Sequence, residues 1–136
     1  MELTTKANFP RAGMSGDAPM KHYQYDSGEK YTPFNHFEMT TQVMFNPDSG
    51  SDKMNFTLST LCKGAGSNDE VHDFSDQIFY MVKGSMKMFS QGKLIAHLHQ
   101  GDAILVKAGE PHSVINDSDE PCVYNAITVP PLPKTH

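Results

Sequence analysis

Positive charge is scarce in this sequence and long apolar runs are missing, and each absence excludes a class of function. Lys and Arg total 11 against 16 Asp and Glu, which gives a net charge of −5 with His neutral; this balance disfavours nucleic-acid binding. Apolar runs such as residues 78–82 are short, whereas a membrane-crossing helix needs about 20 residues. Residues 1–18 also lack the apolar core of a secretory signal. We therefore expect a cytoplasmic protein that binds neither nucleic acid nor membrane.

Cysteine is equally scarce. Cys62 and Cys122 are the two cysteines, and they cannot build a disulfide scaffold or supply the close spacings of zinc and redox motifs. We interpret both as ordinary buried thiols. A chain of 136 residues has the length of one domain and can bury one core without disulfides or a structural metal.

Short apolar runs separated by turn-forming residues dominate the rest of the chain, and no long amphipathic helix stands out. The predicted strands are residues 41–45, 54–61, 69–74, 77–83, 85–90, 93–99, 103–106, 111–116 and 122–129. Clusters of Gly, Pro, Asn, Asp and Ser lie between them, and Gln91-Gly92 predicts a hairpin. Strands joined this closely must be mostly antiparallel, because a parallel crossover needs a dozen or more residues. We expect an all-β sandwich or barrel.

The first 40 residues follow neither hydrophobic period. Residues 9–19 are rich in Gly, Pro and Ser, which predicts an irregular arm. The arm also carries aromatic residues that need burial, namely Tyr23, Tyr25, Tyr31, Phe34 and Phe37. We expect residues 1–40 to pack on the barrel of residues 41–136 or on a partner subunit; alternatively, part of the arm covers a ligand pocket.

Polar residues stand at the ends of otherwise apolar strands in the second half of the chain. Glu70 and His72 are two residues apart, so in a strand both side chains point to the same face. Gln77 opens an apolar run, and His112 begins another strand.

These residues fall within two motifs that resemble those of the cupin superfamily. Its first motif, G-x5-H-x-H-x3,4-E-x6-G, is matched in spacing by Gly64-x5-Glu70-x-His72-x4-Gln77-x6-Gly84. Its second, G-x5-P-x-G-x2-H-x3-N, is matched by Gly101-x5-Lys107-x-Gly109-x2-His112-x3-Asn116, with Lys107 in place of proline. The resemblance implies a small cupin with the double-stranded β-helix, or jelly-roll barrel, and a homodimer, since cupins often pair.

The resemblance also implies a metal centre. Four ligand positions of the family, three His and one Glu, commonly hold a divalent metal, and here they read Glu70, His72, Gln77 and His112. Two imidazoles, one carboxylate and one amide suit Fe, Mn, Ni, Co or Zn. Gln is a weak neutral ligand, so we expect a lower affinity than the usual set gives. Without a metal, Glu70 could instead act as general base with His72 or His112 as the acid.

Strand alternation predicts the walls of a pocket around these residues. Phe79 and Met81 share the face of Gln77, and Val114 shares that of His112, so all three are candidates for apolar lining or for plain core. Such a pocket suits a small molecule with one or two oxygen functions, such as a carboxylate, enol or sugar derivative. Lys107 is either solvated or at the rim, where it would steer an anionic substrate.

We expect lyase or isomerase chemistry on this molecule, with Glu70 and His112 as catalytic residues. Cupin dioxygenases more often keep three histidines, so the resemblance favours oxygen activation less without excluding it. The competing hypothesis is a pocket that binds a small molecule without turnover.

The remaining histidines are not expected to join the site. His97 and His99 are two apart, but the apolar face of their strand is formed by Leu94, Ala96 and Leu98, so the two imidazoles should point away from the core. Residues His22, His36 and His136 lie in the arm and the tail, and we interpret them as surface residues.

Overall fold

The structure, a computed structural model, describes residues 20–133, which contain nine strands and one 3-10 turn at Pro47–Ser49 joined by loops. The irregular arm predicted over residues 9–19 and His136 lie outside these residues. The strands are β1 (Lys30–Tyr31), β2 (His36–Phe45), β3 (Asn55–Ser67), β4 (Asp76–Lys83), β5 (Ser85–Ser90), β6 (Lys93–His99), β7 (Ala103–Val106), β8 (Ser113–Ile115) and β9 (Cys122–Val129).

Every strand pair is antiparallel, as the short connections predicted. The strand order is β6-β5-β8-β3-β9-β4-β7, with β2 also on β3 and β1 on β2, and the sheet curls into a nearly closed barrel. The hairpin between β5 and β6 turns at Gln91-Gly92, where both residues have positive φ, as a two-residue hairpin turn with matching twist requires. The predicted all-β jelly-roll barrel is confirmed.

Three strand predictions need correction. The strand predicted over residues 54–61 continues to Ser67 as β3, where it pairs with the start of β2. The strand predicted over residues 41–45 begins earlier, at His36, because β2 pairs with β3 from His36 opposite Ser67 to Phe45 opposite Phe56. Residues 69–74 are not a strand; apart from one bridge at Glu70, they form a loop. Side chains such as Phe74, which is 86% exposed, have no sheet against which to pack.

The core lies inside the barrel and is built from alternate residues of the strands. Along β4, Gln77, Phe79 and Met81 are buried and the residues between them are exposed. Leu61, Met86 and Cys122 belong to the same fully buried cluster, in which each large apolar side chain contributes about 1.5–3 kcal/mol.

Cys62 corrects the prediction that both cysteines are buried. Cys122 is buried, but Cys62 is exposed. Successive residues of a strand point to opposite faces, and because Leu61 faces the core, Cys62 faces solvent. In residues 20–133 no helix is long and apolar enough to cross a membrane.

Candidate metal centre and cavity

Two main-chain segments place the site. The Glu70 N–H donates to the His112 carbonyl at 2.8 Å, and the His112 N–H donates to the Glu70 carbonyl at 2.9 Å. This exchange puts the two residues directly opposite each other, as in a hydrogen-bonded antiparallel pair. The Gly109 N–H donates to the His72 carbonyl at 2.9 Å, so the loop that carries Glu70 and His72 is tied to the segment that carries His112.

The three side chains converge. Glu70, His72 and His112 each offer one ligand atom, and these atoms lie within 4.8 Å of one another. His72 Nε2 is 3.6 Å from Glu70 Oε1, and all three residues are largely buried, His112 to 5% exposure. Atoms that share one ion at about 2.0–2.2 Å lie no more than about 4.4 Å apart, so the group is close to ligand spacing.

The surroundings of His112 favour the tautomer that can bind a metal ion. Its Nδ1 lies 3.1 Å from the Glu110 carbonyl, and because a carbonyl can only accept, Nδ1 carries the hydrogen and Nε2 keeps its lone pair. Burial lowers the pKa of His112, an effect that the bond to the Glu110 carbonyl opposes in part. Both the tautomer and the lowered pKa favour the neutral imidazole that metal binding requires.

Gln77 brings an unsatisfied oxygen to the same region. It lines one cavity together with Glu70 and His72, and its Nε2 donates to Thr128 Oγ1 at 3.0 Å. Its Oε1 is buried without a hydrogen-bond partner among the described residues, a state that costs about 1–3 kcal/mol. A buried amide oxygen without a partner can accept a hydrogen bond from a ligand hydroxyl or coordinate a cation. Together with Glu70, His72 and His112, it gives a set of ligand atoms that suits a divalent metal.

His36 belongs to this site, which corrects its interpretation as a surface residue. Its side chain is only 10% exposed, and its Nδ1 lies 3.5 Å from Glu70 Oε2. Sequence reasoning missed it because it lies outside both motifs and because the extension of β2 along β3 is a long-range pairing. The aromatic residues that surround His36 in the sequence were the only indication that this segment is packed.

The cavity holds about 250 Å³, which is small for a ligand site. Phe79 lines it, whereas Met81 and Val114 belong to the buried apolar cluster and do not line it. The Phe79 ring lies edge-on to His112 at 5.9 Å between centroids. Tyr31 and Pro33, from the first 40 residues, also form part of the wall.

The charge of the cavity wall is acidic. No Lys or Arg lines the cavity among residues 20–133, while Glu70 and Asp48 do. Lys107 is exposed and is absent from the wall. The described residues therefore offer an anionic ligand no Lys or Arg partner inside the cavity.

The other histidines that the structure describes lie elsewhere. His97 and His99 are exposed on β6, as strand alternation predicted, and their ring centroids are 4.3 Å apart. His22 is also exposed, as predicted.

Residues 57–129 match the family model for the cupin domain. No curated protein matches the sequence significantly. Solved structures with a similar fold include the polyketide cyclase RemF from Streptomyces resistomycificus (20% identity, 81% of this chain and 79% of that one, TM-score 0.70) and a predicted oxalate decarboxylase from Thermotoga maritima (17%, 80% and 98%, 0.70). A third is a cupin-superfamily sugar phosphate isomerase from Silicibacter pomeroyi (18%, 80% and 75%, 0.67). At these identities the likeness shows the fold alone.

Proposed function

The chain belongs to the cupin family, and from this premise we propose that it is a metal-dependent enzyme acting on a small oxygenated molecule. In this proposal Glu70, His72 and His112 hold a divalent ion, and Gln77 is the fourth, weaker ligand. The observation that carries the proposal is the convergence of one carboxylate and two imidazoles within 4.8 Å, beside a cavity into which the ion would face. Fe, Mn, Ni, Co and Zn all accept this donor set.

The reaction we propose is of the lyase or isomerase type. When bound, the ion would supply Lewis-acid polarisation of a carbonyl, enol or carboxylate oxygen. The chain itself contributes a largely buried, preorganised site, in which the main-chain exchange fixes the positions of Glu70 and His112. With the ion bound, Glu70 and His112 act as its ligands, and a nearby side chain or a bound water would move the proton; Glu70 and His112 would transfer protons themselves when no ion is bound.

Substrate size and charge are limited by the cavity. A volume of about 250 Å³ admits a small molecule, and Phe79, Met39 and Val43 give its wall an apolar part. Hydroxyl groups of Thr41 and Ser59, which bond each other at 2.8 Å, give it a polar part. We therefore favour a ligand with a compact apolar body and one or two oxygen functions; cyclase, decarboxylase and isomerase neighbours are compatible with this range.

Metal analysis tests the proposal. We expect protein purified without an affinity tag to carry, or to take up from solution, about one equivalent of one of these five ions. Glu70→Ala and His112→Ala should each remove this equivalent, while His22→Ala, an exposed control, should keep it. Less than about a tenth of an equivalent after reconstitution would contradict the metal centre.

A metal-free acid–base reaction is the second candidate. It is favoured by the 3.6 Å contact between Glu70 Oε1 and His72 Nε2, in which a buried carboxylate and an imidazole could exchange a proton. Activity that survives exhaustive chelation and is lost in Glu70→Gln would support it. Ligand binding that depends on Glu70 and His112, with no turnover of any compound bound, would instead indicate a binding protein.

We also propose a homodimer. Ile78 is paired in register with Leu105 on one side and Ile127 on the other, which forms an apolar strip on the outer face of the sheet. Exposed strips of this kind mark interaction surfaces. Light scattering should give the mass of two chains, and Ile78→Lys should halve it, whereas Ile95→Lys on the exposed β6 should not.

A further inference from the structure

The Glu70 carboxylate lies between two imidazoles, one on each oxygen. Oε1 faces His72 Nε2 at 3.6 Å, and Oε2 faces His36 Nδ1 at 3.5 Å. The Glu70 side chain is 11% exposed and that of His36 is 10% exposed. The second contact comes from β2, far from both motifs in the sequence, and no metal-ligand position of the family accounts for it.

We propose that His36 is a positioning residue of the metal centre, which holds Glu70 Oε2 and thereby presents Oε1 to the ion between Glu70, His72 and His112. The inference rests on the metal centre proposed above and adds a component that neither motif contains. His36 is not placed among the ligands, because the group with mutual distances within 4.8 Å consists of Glu70, His72 and His112.

The ring of His36 is oriented by the main chain. Its Nδ1 lies 2.7 Å from the Phe34 carbonyl, and because that oxygen can only accept, Nδ1 carries a hydrogen. The same electropositive edge of the ring faces Glu70 Oε2. At 3.5 Å the contact with Oε2 is long for a hydrogen bond but close enough for electrostatic attraction, which is strong where water is excluded.

The backbone around His36 is built to aim this side chain. Asn35 and Glu38 both have positive φ, which is uncommon for residues other than glycine. The register with β3 shifts between Phe37 and Met39, and such bulges re-aim side chains near functional sites. The Asn68 N–H donates to the Asn35 carbonyl at 2.9 Å, which ties this turn to the loop that leads to Glu70.

The contact between His36 and Glu70 Oε2 matters because the Glu70 carboxylate is largely buried. A carboxylate withdrawn from water is costly unless both oxygens have partners. If the His36 ring were removed, Oε2 would lose the electropositive Nδ1 edge that attracts it, and Oε1 would lose the support that keeps it beside His72. Partners that orient metal ligands typically change metal affinity by about 10–100-fold when they are removed.

The test uses the full chain with three substitutions. His36→Phe keeps an aromatic ring and removes the donor, whereas His36→Asn keeps a side-chain N–H near the position of Nδ1. His97→Phe makes the same change on the exposed face of β6 and is the matched control. The dissociation constants for Zn²⁺ and Co²⁺ would be measured by competition with a chromogenic chelator, together with the visible absorption of bound Co²⁺ and the melting temperature of the metal-free protein.

We expect His36→Phe to weaken the binding of both ions by about 10–100-fold at an unchanged stoichiometry of one, and to alter the Co²⁺ spectrum. His36→Asn should stay within about threefold of the native protein, a rescue that a purely structural role of the ring would not give. His97→Phe should change nothing. Should His36→Phe not fold, the difference between His36→Ala and His36→Asn carries the test.

The outcomes separate this inference from the metal centre itself. If the native protein binds ions and His36→Phe binds them as tightly, the metal centre stands and the role of His36 is overturned. A loss beyond about a thousandfold, with the stoichiometry gone, would make His36 a ligand and also overturn positioning. If the native protein binds none of the five ions in the metal analysis proposed above, both the metal centre and the inference fail.

Discussion

Two pairs of histidines occupy opposite environments in this molecule. His72 and His112 are far apart in sequence but lie inside the barrel, where their ring centroids are 5.4 Å apart. His97 and His99 are neighbours on β6 with centroids only 4.3 Å apart, and both are exposed. The closer pair is the one we expect to be inert.

Proximity of imidazoles is therefore not what makes a site here. The inner pair has a buried carboxylate, Glu70, within reach, His72 and Glu70 line the cavity, and burial lowers the pKa of His112. The outer pair faces bulk water, where the carboxylate of Asp102 lies 3.9 Å from His99 and is half-exposed. Water competes with any ion at such a position, and solvent screens the charges.

The largest expected effect is on the free energy of unfolding, and it distinguishes a buried phenylalanine from an exposed one. Phe79 is 5% exposed against Tyr124 and His112, whereas Phe74 is 86% exposed. Phe79→Ala should lower the free energy of unfolding by about 3–5 kcal/mol, because it leaves a cavity in the packed wall. Phe74→Ala should change it by less than about 0.5 kcal/mol. Urea unfolding of the metal-free proteins measures both, and equal losses would contradict the placement of Phe79.

The next effect is on metal affinity. His112→Ala should weaken Zn²⁺ binding by at least about 100-fold, or about 2.7 kcal/mol, because a ligand is worth more than the partners that orient it. The double substitution of His97 and His99 by Ala should leave the affinity unchanged. Isothermal titration of metal-free protein measures both; a loss confined to the outer pair would reverse the comparison of the two histidine pairs.

A smaller change is expected at Gln77. Gln77→Leu should weaken metal binding about tenfold, because it removes the unpartnered amide oxygen. Gln77→Glu should strengthen it about tenfold, since a carboxylate is a better ligand for a divalent ion, and should lower the melting temperature of the metal-free protein by burying a second negative charge. If both variants bind like the native protein, Gln77 is not a ligand.

The smallest effect is expected at the cysteines. Cys62→Ser should change the free energy of unfolding by less than about 0.5 kcal/mol, because Cys62 is exposed. Burial raises the pKa of the Cys122 thiol to about 11, so its reactive thiolate is rare at neutral pH. A thiol reagent should therefore label one cysteine per native chain rapidly and both in urea. Rapid labelling of both cysteines in the native chain would instead show that the buried cluster around Cys122 opens readily.

Strand alternation predicted much of this architecture from the sequence. It placed Gln77, Phe79 and Met81 on one inner face and pointed His97 and His99 outward, and the structure confirms both. Alternation assigns a face but not a depth along the strand. It therefore could not distinguish Phe79, at the cavity, from Met81, deep in the apolar cluster.

The failures have physical causes as well. Cys62 could have been placed correctly, since it follows the inward Leu61 along β3. His36 could not, because its position depends on the bulged pairing of β2 with β3, and neither strand encodes that register in a short motif. The loop of residues 69–74 has an alternating pattern without a neighbouring strand to pair with along its length.

The hydrogen-bonded exchange between Glu70 and His112 has a consequence for how such a centre can diversify. The two hydrogen bonds join main-chain atoms, so they do not depend on which side chains residues 70 and 112 carry. One carboxylate can replace one imidazole at position 70 while the Cα stays where it was. Single substitutions at these positions can therefore change the set of metal ligands while the main chain that positions them stays folded.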